Sequence, residues 1–264
     1  MLVFSCISAH TPVLMPTIGK EEGLKLVGKT KTALEQLEQE LYLAQPETLI
    51  VITPHGESLP DAVSINLNSK YTTNFEEFGD LTTKLEWKPD MRFIDQLQRQ
   101  LKSKYLPYVV TTSESLDYGT SVPLFYLTQH LPNMRLVPII TSQLDMKAHF
   151  EIGREIKHEA INSDRRIAVI ASADLSHRVG ENSQAGFSPK GVAFDEKIQE
   201  LLKENNLVGI LDIDDAWIEE AQACGAKVLA TAFGIMDEMK YETQVISYER
   251  PLGVGYLIAS MKVA

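Results

Sequence analysis

Short apolar runs alternate with amphipathic stretches along almost the whole chain. Leu2–Ser8, Thr48–Thr53, Arg135–Ile140 and Ile167–Ala171 are rich in β-branched and aliphatic residues. Thr48–Thr53 and Ile167–Ala171 show no polar face, which suits parallel strands covered on both sides. Val63–Leu67 alternates apolar and polar residues, as a half-exposed strand does. Tyr108–Thr112 reads as extended, and Gln244–Tyr248 and Val254–Met261 read as the closing strands. Between these runs the apolar spacing changes to three and four residues, the period of a helix. Glu22–Leu43 carries Leu24, Leu26, Val27, Leu34, Leu37 and Leu41 mostly at that spacing. Further helices are predicted over Phe93–Leu101, Val122–His130, Met146–Asn162 and Phe194–Asn205, with one or two more over Ala216–Met236. Such alternation predicts an α/β fold with a central, mostly parallel sheet flanked by helices on both faces. No repeat, low-complexity tract or linker divides residues 1–264, so a single domain is expected. The Gly- and Ser-bearing stretch Arg178–Lys190 is the candidate for a mobile lid.

Composition narrows the partners. Lys plus Arg is 25 and Asp plus Glu is 36, a formal net charge of −11. An acidic chain gains no counterion-release energy on a phosphate backbone, so nucleic acid and anionic membrane surfaces are not expected partners. No run of about 18 apolar residues suggests a membrane span. The start Met1-Leu-Val-Phe-Ser-Cys6 lacks the basic residues of a signal peptide. Two cysteines, Cys6 and Cys224, make no disulfide framework, and a cytoplasmic location is expected.

Three histidines stand just past the ends of apolar strands. His10 follows Leu2–Ser8, His55 follows Thr48–Thr53, and His177 follows Ile167–Ala171 by a small polar exit. Open α/β sheets place their chemistry at the carboxyl ends of strands. Imidazole is both the commonest metal ligand and the side chain that titrates near neutral pH. The pattern predicts one cleft holding a metal and a proton-transfer group. His130, His149 and His158 lie in helical patterns among Lys, Glu and Gln and read as surface residues. Asp117-Tyr118-Gly119-Thr120 joins a strand to a helix. It reads either as a turn with Asp117 as helix cap, or as a pocket segment with the Tyr118 hydroxyl as donor or proton carrier. Glu219-Glu220-Ala-Gln-Ala-Cys224-Gly225 also has two readings. Adjacent carboxylates near a helix start are solvated and stabilised by its dipole, or a carboxylate or thiolate there completes a metal shell. Cys6, inside the first strand, reads as buried core.

Five pieces carry a resemblance: Ser8-Ala-His10-Thr-Pro12, Thr53-Pro-His55-Gly56, Leu116-Asp-Tyr-Gly-Thr-Ser-Val-Pro-Leu124, Ala173-Asp-Leu-Ser-His177 and Glu219–Gly225. In this order, spanning nearly the whole chain, they resemble the LigB-type class III extradiol ring-cleavage dioxygenases and their Memo-like relatives. The resemblance implies that His10 and His55 are iron ligands and that His177 is the acid/base beside the metal. The dioxygenases take a third ligand from a glutamate in the last third of the chain, and Memo-like proteins have a cysteine near that point. Glu220 and Cys224 both stand there, and the choice stays open. The family's Asp-His-Gly motif is Asp117-Tyr118-Gly119 here, so tyrosine replaces its second pocket histidine.

Two histidines and one carboxylate leave three metal positions open, which suits non-haem Fe(II) with a catechol and O2. The leading expectation is therefore an Fe(II)-dependent extradiol dioxygenase acting on a small aromatic diol. His177 would be its base, matched to proton transfer near neutrality, with Tyr118 assisting. With Cys224 as third ligand the set becomes His2Cys, which favours zinc or copper. That alternative is a Memo-like metal- or peptide-binding protein without ring cleavage, or a zinc hydrolase. Asn68–Phe78 and Arg178–Phe187 are expected to shape the pocket. A homo-oligomer and a small partner subunit are both compatible with the chain.

Overall fold

The strands follow the apolar runs. The computed structural model describes residues 1–263. Its strands are β1 (Leu2–Ser8), β2 (Thr48–Thr53), β3 (Val63–Asn66), β4 (Tyr71–Thr73), β5 (Glu86–Pro89), β6 (Tyr108–Thr111), β7 (Ser115–Leu116), β8 (Arg135–Ile140), β9 (Ile167–Ser172), β10 (Tyr241–Glu249) and β11 (Tyr256–Val263). The helices are α1 (Pro16–Leu26), α2 (Gly28–Ala44), α3 (Met91–Ser103), α4 (Tyr118–Leu127), α5 (Met146–Asn162), α6 (Pro189–Lys203), α7 (Leu207–Leu211), α8 (Asp215–Ala221) and α9 (Ala226–Met236). One sheet runs in the order β10-β11-β1-β9-β2-β8-β5-β4-β7, with β3 and β6 branching beside β8. β1, β9, β2 and β8 are parallel neighbours, and β10 and β11 join antiparallel at one side. The fold is thus α/β with a mostly parallel, mixed sheet flanked by helices. Register aligns Ser8 with Ser172 and Thr53 with Ile140, so these strands end together on one edge.

Both faces of the central strands are dry. On one face Ile50, Ile52, Val137, Ile139 and Val169 pack with Ile152, Ile156 and Phe233 of α5 and α9. On the other, Leu49, Val51, Leu136 and Ile170 pack with Leu34, Leu37 and Leu41 of α2 and Val122 and Leu127 of α4. Alternate residues of one strand therefore serve two cores, which explains why these runs carry no polar face. α5 and α9 meet backbone to backbone at two glycines. A Cβ on Gly153 would overlap the Thr231 carbonyl oxygen and lie 2.9 Å from Gly234 Cα. Gly153→Ala is expected to lower the free energy of unfolding by about 1–3 kcal/mol, read by urea denaturation. An unchanged midpoint and slope would show that the helices part at no cost.

Three expectations are corrected. Val63–Asn66 is buried throughout, not half-exposed. Its polar residues are tolerated because they are paired: Ser64 Oγ donates to the Glu57 carbonyl, and Asn66 exchanges two 2.9 Å hydrogen bonds with the Ser113 backbone. The single helix over Glu22–Leu43 is two helices, α1 and α2, which meet at the non-helical, buried Val27 (φ −102°, ψ 30°). α1 contains no buried residue. Part of the stretch read as a pocket loop is the short strand β4, which pairs with β5 and β7.

Candidate metal centre

Three side chains from distant segments converge where the parallel strands end. His10 lies two residues after β1, His55 two residues after β2, and Cys224 between α8 and α9. His10 Nε2 is 3.0 Å from His55 Nε2 and 3.7 Å from Cys224 Sγ. One donor atom from each of the three lies within 4.8 Å of the others. Bonds of about 2.1 Å from nitrogen and about 2.3 Å from sulfur to one ion span such separations. The residues present fit a metal.

The surrounding network prepares these donors. Ser172 Oγ donates to the Gly119 carbonyl, so it accepts from His10 Nδ1 at 3.0 Å. That assigns the proton of His10 to Nδ1 and leaves the Nε2 lone pair facing His55 and Cys224. Burial lowers the proton affinity of both imidazoles, with His177 adding charge repulsion, and each pKa falls to about 3. Both rings are therefore neutral at neutral pH, as metal ligation requires. Gly119 is needed for the approach of His55, because a Cβ there would overlap Thr53 Oγ1 and lie 2.9 Å from His55 Cδ2.

The sequence comparison adds family to geometry. Residues 5–259 match the family model described as the catalytic LigB subunit of aromatic ring-opening dioxygenase. The chain belongs to the LigB family. Within it, this LigB chain is 26% identical over 262 residues to Protein CA_C1420 of Clostridium acetobutylicum. The match covers 96% of the chain but 56% of that protein, so the chain spans about half the length of this curated relative. The crystal structure of an uncharacterized protein, JW3007, from Escherichia coli K12 has the same fold. Its TM-score is 0.69 at 16% identity, covering 98% of this chain and 99% of that one.

The other candidate residues of this LigB chain divide. His177 sits beside the cluster, and its Nε2 is buried with no hydrogen-bond partner among the described residues. Asp117 caps α4 by accepting from Thr120 N–H at 2.9 Å, while the Tyr118 hydroxyl lies 3.0 Å from His55 Nε2. The cap reading and the pocket reading thus describe neighbouring atoms of one turn. Burial pushes the Tyr118 phenol further above its ordinary range. Glu220 does not join the cluster. Its carboxylate accepts from Arg178 Nη1 at 3.1 Å and from Ser188 Oγ at 2.9 Å. Those contacts stitch down the Arg178–Lys190 loop that reads as a lid.

Asp174 joins the site although no sequence reading singled it out. Its Oδ1 accepts from His10 N–H at 3.0 Å and its Oδ2 lies 3.6 Å from His10 Nε2. Its carbonyl accepts from Gly225 N–H at 3.0 Å and faces Cys224 Sγ at 3.6 Å. Burial raises its carboxyl pKa to about 6, offset in part by the nearby His177. Its position inside Ala173-Asp-Leu-Ser-His177, three residues before a candidate base, was the available signal.

His149 is a correction: it is fully buried, not a surface residue. α5 turns it inward, where Nε2 accepts from Ser142 N–H at 3.1 Å and Nδ1 donates to the Asp145 carbonyl at 2.8 Å. His130 and His158 are exposed as expected. No helix is long and apolar enough to cross a membrane among the described residues.

Proposed function

We propose that this chain is a metal-dependent LigB-family protein whose ion is held by His10, His55 and Cys224 and whose open face receives a small oxygen-bearing ligand. The observation that carries the reading is the meeting of three donor atoms from residues 10, 55 and 224 within 4.8 Å. A thiolate in place of a carboxylate makes the set softer and favours zinc or copper, the Memo-like alternative, over oxygen-handling iron. A bound ion would supply Lewis-acid activation of a ligand oxygen and, with iron or copper, electron transfer.

The chain's own groups set the rest. Ser172 fixes the His10 ring and Asp174 fixes its backbone, and the dry walls around them strengthen every polar contact. The Tyr118 phenol keeps its proton and serves as a hydrogen-bond donor. His177 Nε2, buried and unpartnered, is the group to take a proton from a ligand hydroxyl.

A second reading is Fe(II)-dependent extradiol cleavage of a catechol-like ring with O2. The family match and the unpartnered His177 nitrogen favour it. Metal analysis of anaerobically purified protein, followed by a catechol panel, separates the two. The expected result is about one equivalent of zinc or copper per chain and no yellow ring-fission product. Stoichiometric Fe(II) with such a product would establish the ring-cleaving reading instead. A protein that takes up no metal would remove both.

A further inference from the structure

A buried carboxylate outside the metal cluster holds the loop that carries His177. Asp195 lies on α6 and is 1% exposed. A carboxylate taken out of water is costly unless strong hydrogen bonds replace its hydration. Here Oδ1 accepts from Ser176 N–H at 2.8 Å and Oδ2 accepts from Tyr248 O–H at 2.6 Å. A Cβ on Gly255, the residue before β11, would overlap Oδ2 and lie 2.9 Å from Asp195 Cγ, so the carboxylate occupies the space a side chain there would fill.

The hydrogen bonds continue from this carboxylate into the centre. The Ser176 carbonyl accepts from Gly255 N–H at 2.9 Å, and Ser176 Oγ donates to the Ala221 carbonyl at 2.8 Å. The next residue shares that acceptor, since His177 N–H also donates to the Ala221 carbonyl at 3.1 Å. Ala221 ends α8, three residues before Cys224. Between them Gln222 takes a left-handed backbone (φ 49°) that turns the chain toward the cluster. The Ala221 carbonyl thus joins the His177 loop to the Cys224 loop, and Asp195 holds Ser176, one of its two donors, by the backbone N–H on the other side.

We propose that Asp195 is the positioning residue of the centre: its carboxylate fixes the Leu175–Ser176 peptide just before His177 and, through the Ala221 carbonyl that Ser176 and His177 share, holds the His177 loop to the loop that carries Cys224. This rests on the proposed function only for what the geometry serves. A neutral acceptor would also hold Ser176 N–H, so the assignment separates Asp195→Ala, which removes the acceptor, from Asp195→Asn, which keeps one for Ser176 and offers N–H to Tyr248. Gly255→Ala displaces the carboxylate without removing it and serves should D195A fail to fold.

The first measurement is the imidazole and backbone NMR signal of His177 in metal-free protein, with the exposed His130 and His158 as internal controls. D195A and G255A are expected to move the His177 signals and leave the controls in place, and D195N to restore them. The second is Co(II) affinity, followed by the thiolate-to-cobalt absorption band. D195A is expected to weaken it about tenfold or more, the usual cost of losing an outer-shell partner, and D195N to recover it within about twofold. Wild-type His177 signals in both D195A and G255A, or D195N indistinguishable from D195A, would overturn the proposal. Absence of any cobalt–thiolate band in the wild type rejects the metal ligands instead, while the NMR comparison still decides the role of Asp195.

Discussion

Alanine at His10 or His55 is expected to empty the metal centre. Bound metal, measured by elemental analysis after dialysis against a weak chelator, should fall from about one equivalent to none. The affinity loss should exceed about 100-fold, because losing an outer-shell partner alone costs 10–100-fold. The effect is this large because the described cluster has three protein donors, and two neutral imidazoles supply both of its nitrogens. His55→Ala is the cleaner variant, since His10 also holds Ser172 through its ring and Asp174 through its backbone. Circular dichroism checks that the fold survives. Stoichiometric metal in both variants rejects the ligand assignment.

His177→Ala separates binding from chemistry. It should keep its metal within about threefold of the parent affinity while losing about 10²–10⁴-fold in turnover, the range for removing a general acid/base. The asymmetry follows from geometry: His177 stands outside the three-donor cluster, yet its Nε2 is buried and pairs with nothing described. The turnover arm of the test uses a substrate first shown to be turned over by the parent protein. Normal turnover in the variant removes His177 from the proton path.

Much of the scaffold was legible because its signals are local. Arg135–Ile140 and Met146–Asn162 have the bounds their periodicity predicts, and the central strands are β-branched with no polar side. Parallel order then brings the ends of β1, β2 and β9 to one edge, which is why His10, His55 and His177 could be grouped from the sequence. What stayed hidden depends on pairing across the chain. β3 reads as half-exposed until the segments that carry Glu57 and Ser113 pair with Ser64 and Asn66 on its polar side. His149 reads as a surface residue because the polarity of its neighbours along the chain does not reveal which side of α5 faces α9. Glu220 and Cys224 could not be ranked, because one turn of chain separates them. The structure turns the carboxylate to Arg178 and the sulfur to His10. Asp195 left no trace in spacing at all, since its partners Ser176 and Tyr248 lie 19 and 53 residues away.

Two of the donors are remote along the chain: His10 and Cys224, 3.7 Å apart in space, are 214 residues apart in sequence. An ion held between them would act as a rivet between the end of β1 and the turn that joins α8 to α9. A growing chain could not complete the three-donor set until Cys224, between α8 and α9, had been synthesised and docked. Once loaded, at a free metal concentration 100 times the dissociation constant, it would add about 2.7 kcal/mol against unfolding. Metal retention would therefore report on the docking of segments 214 residues apart rather than on the integrity of one loop.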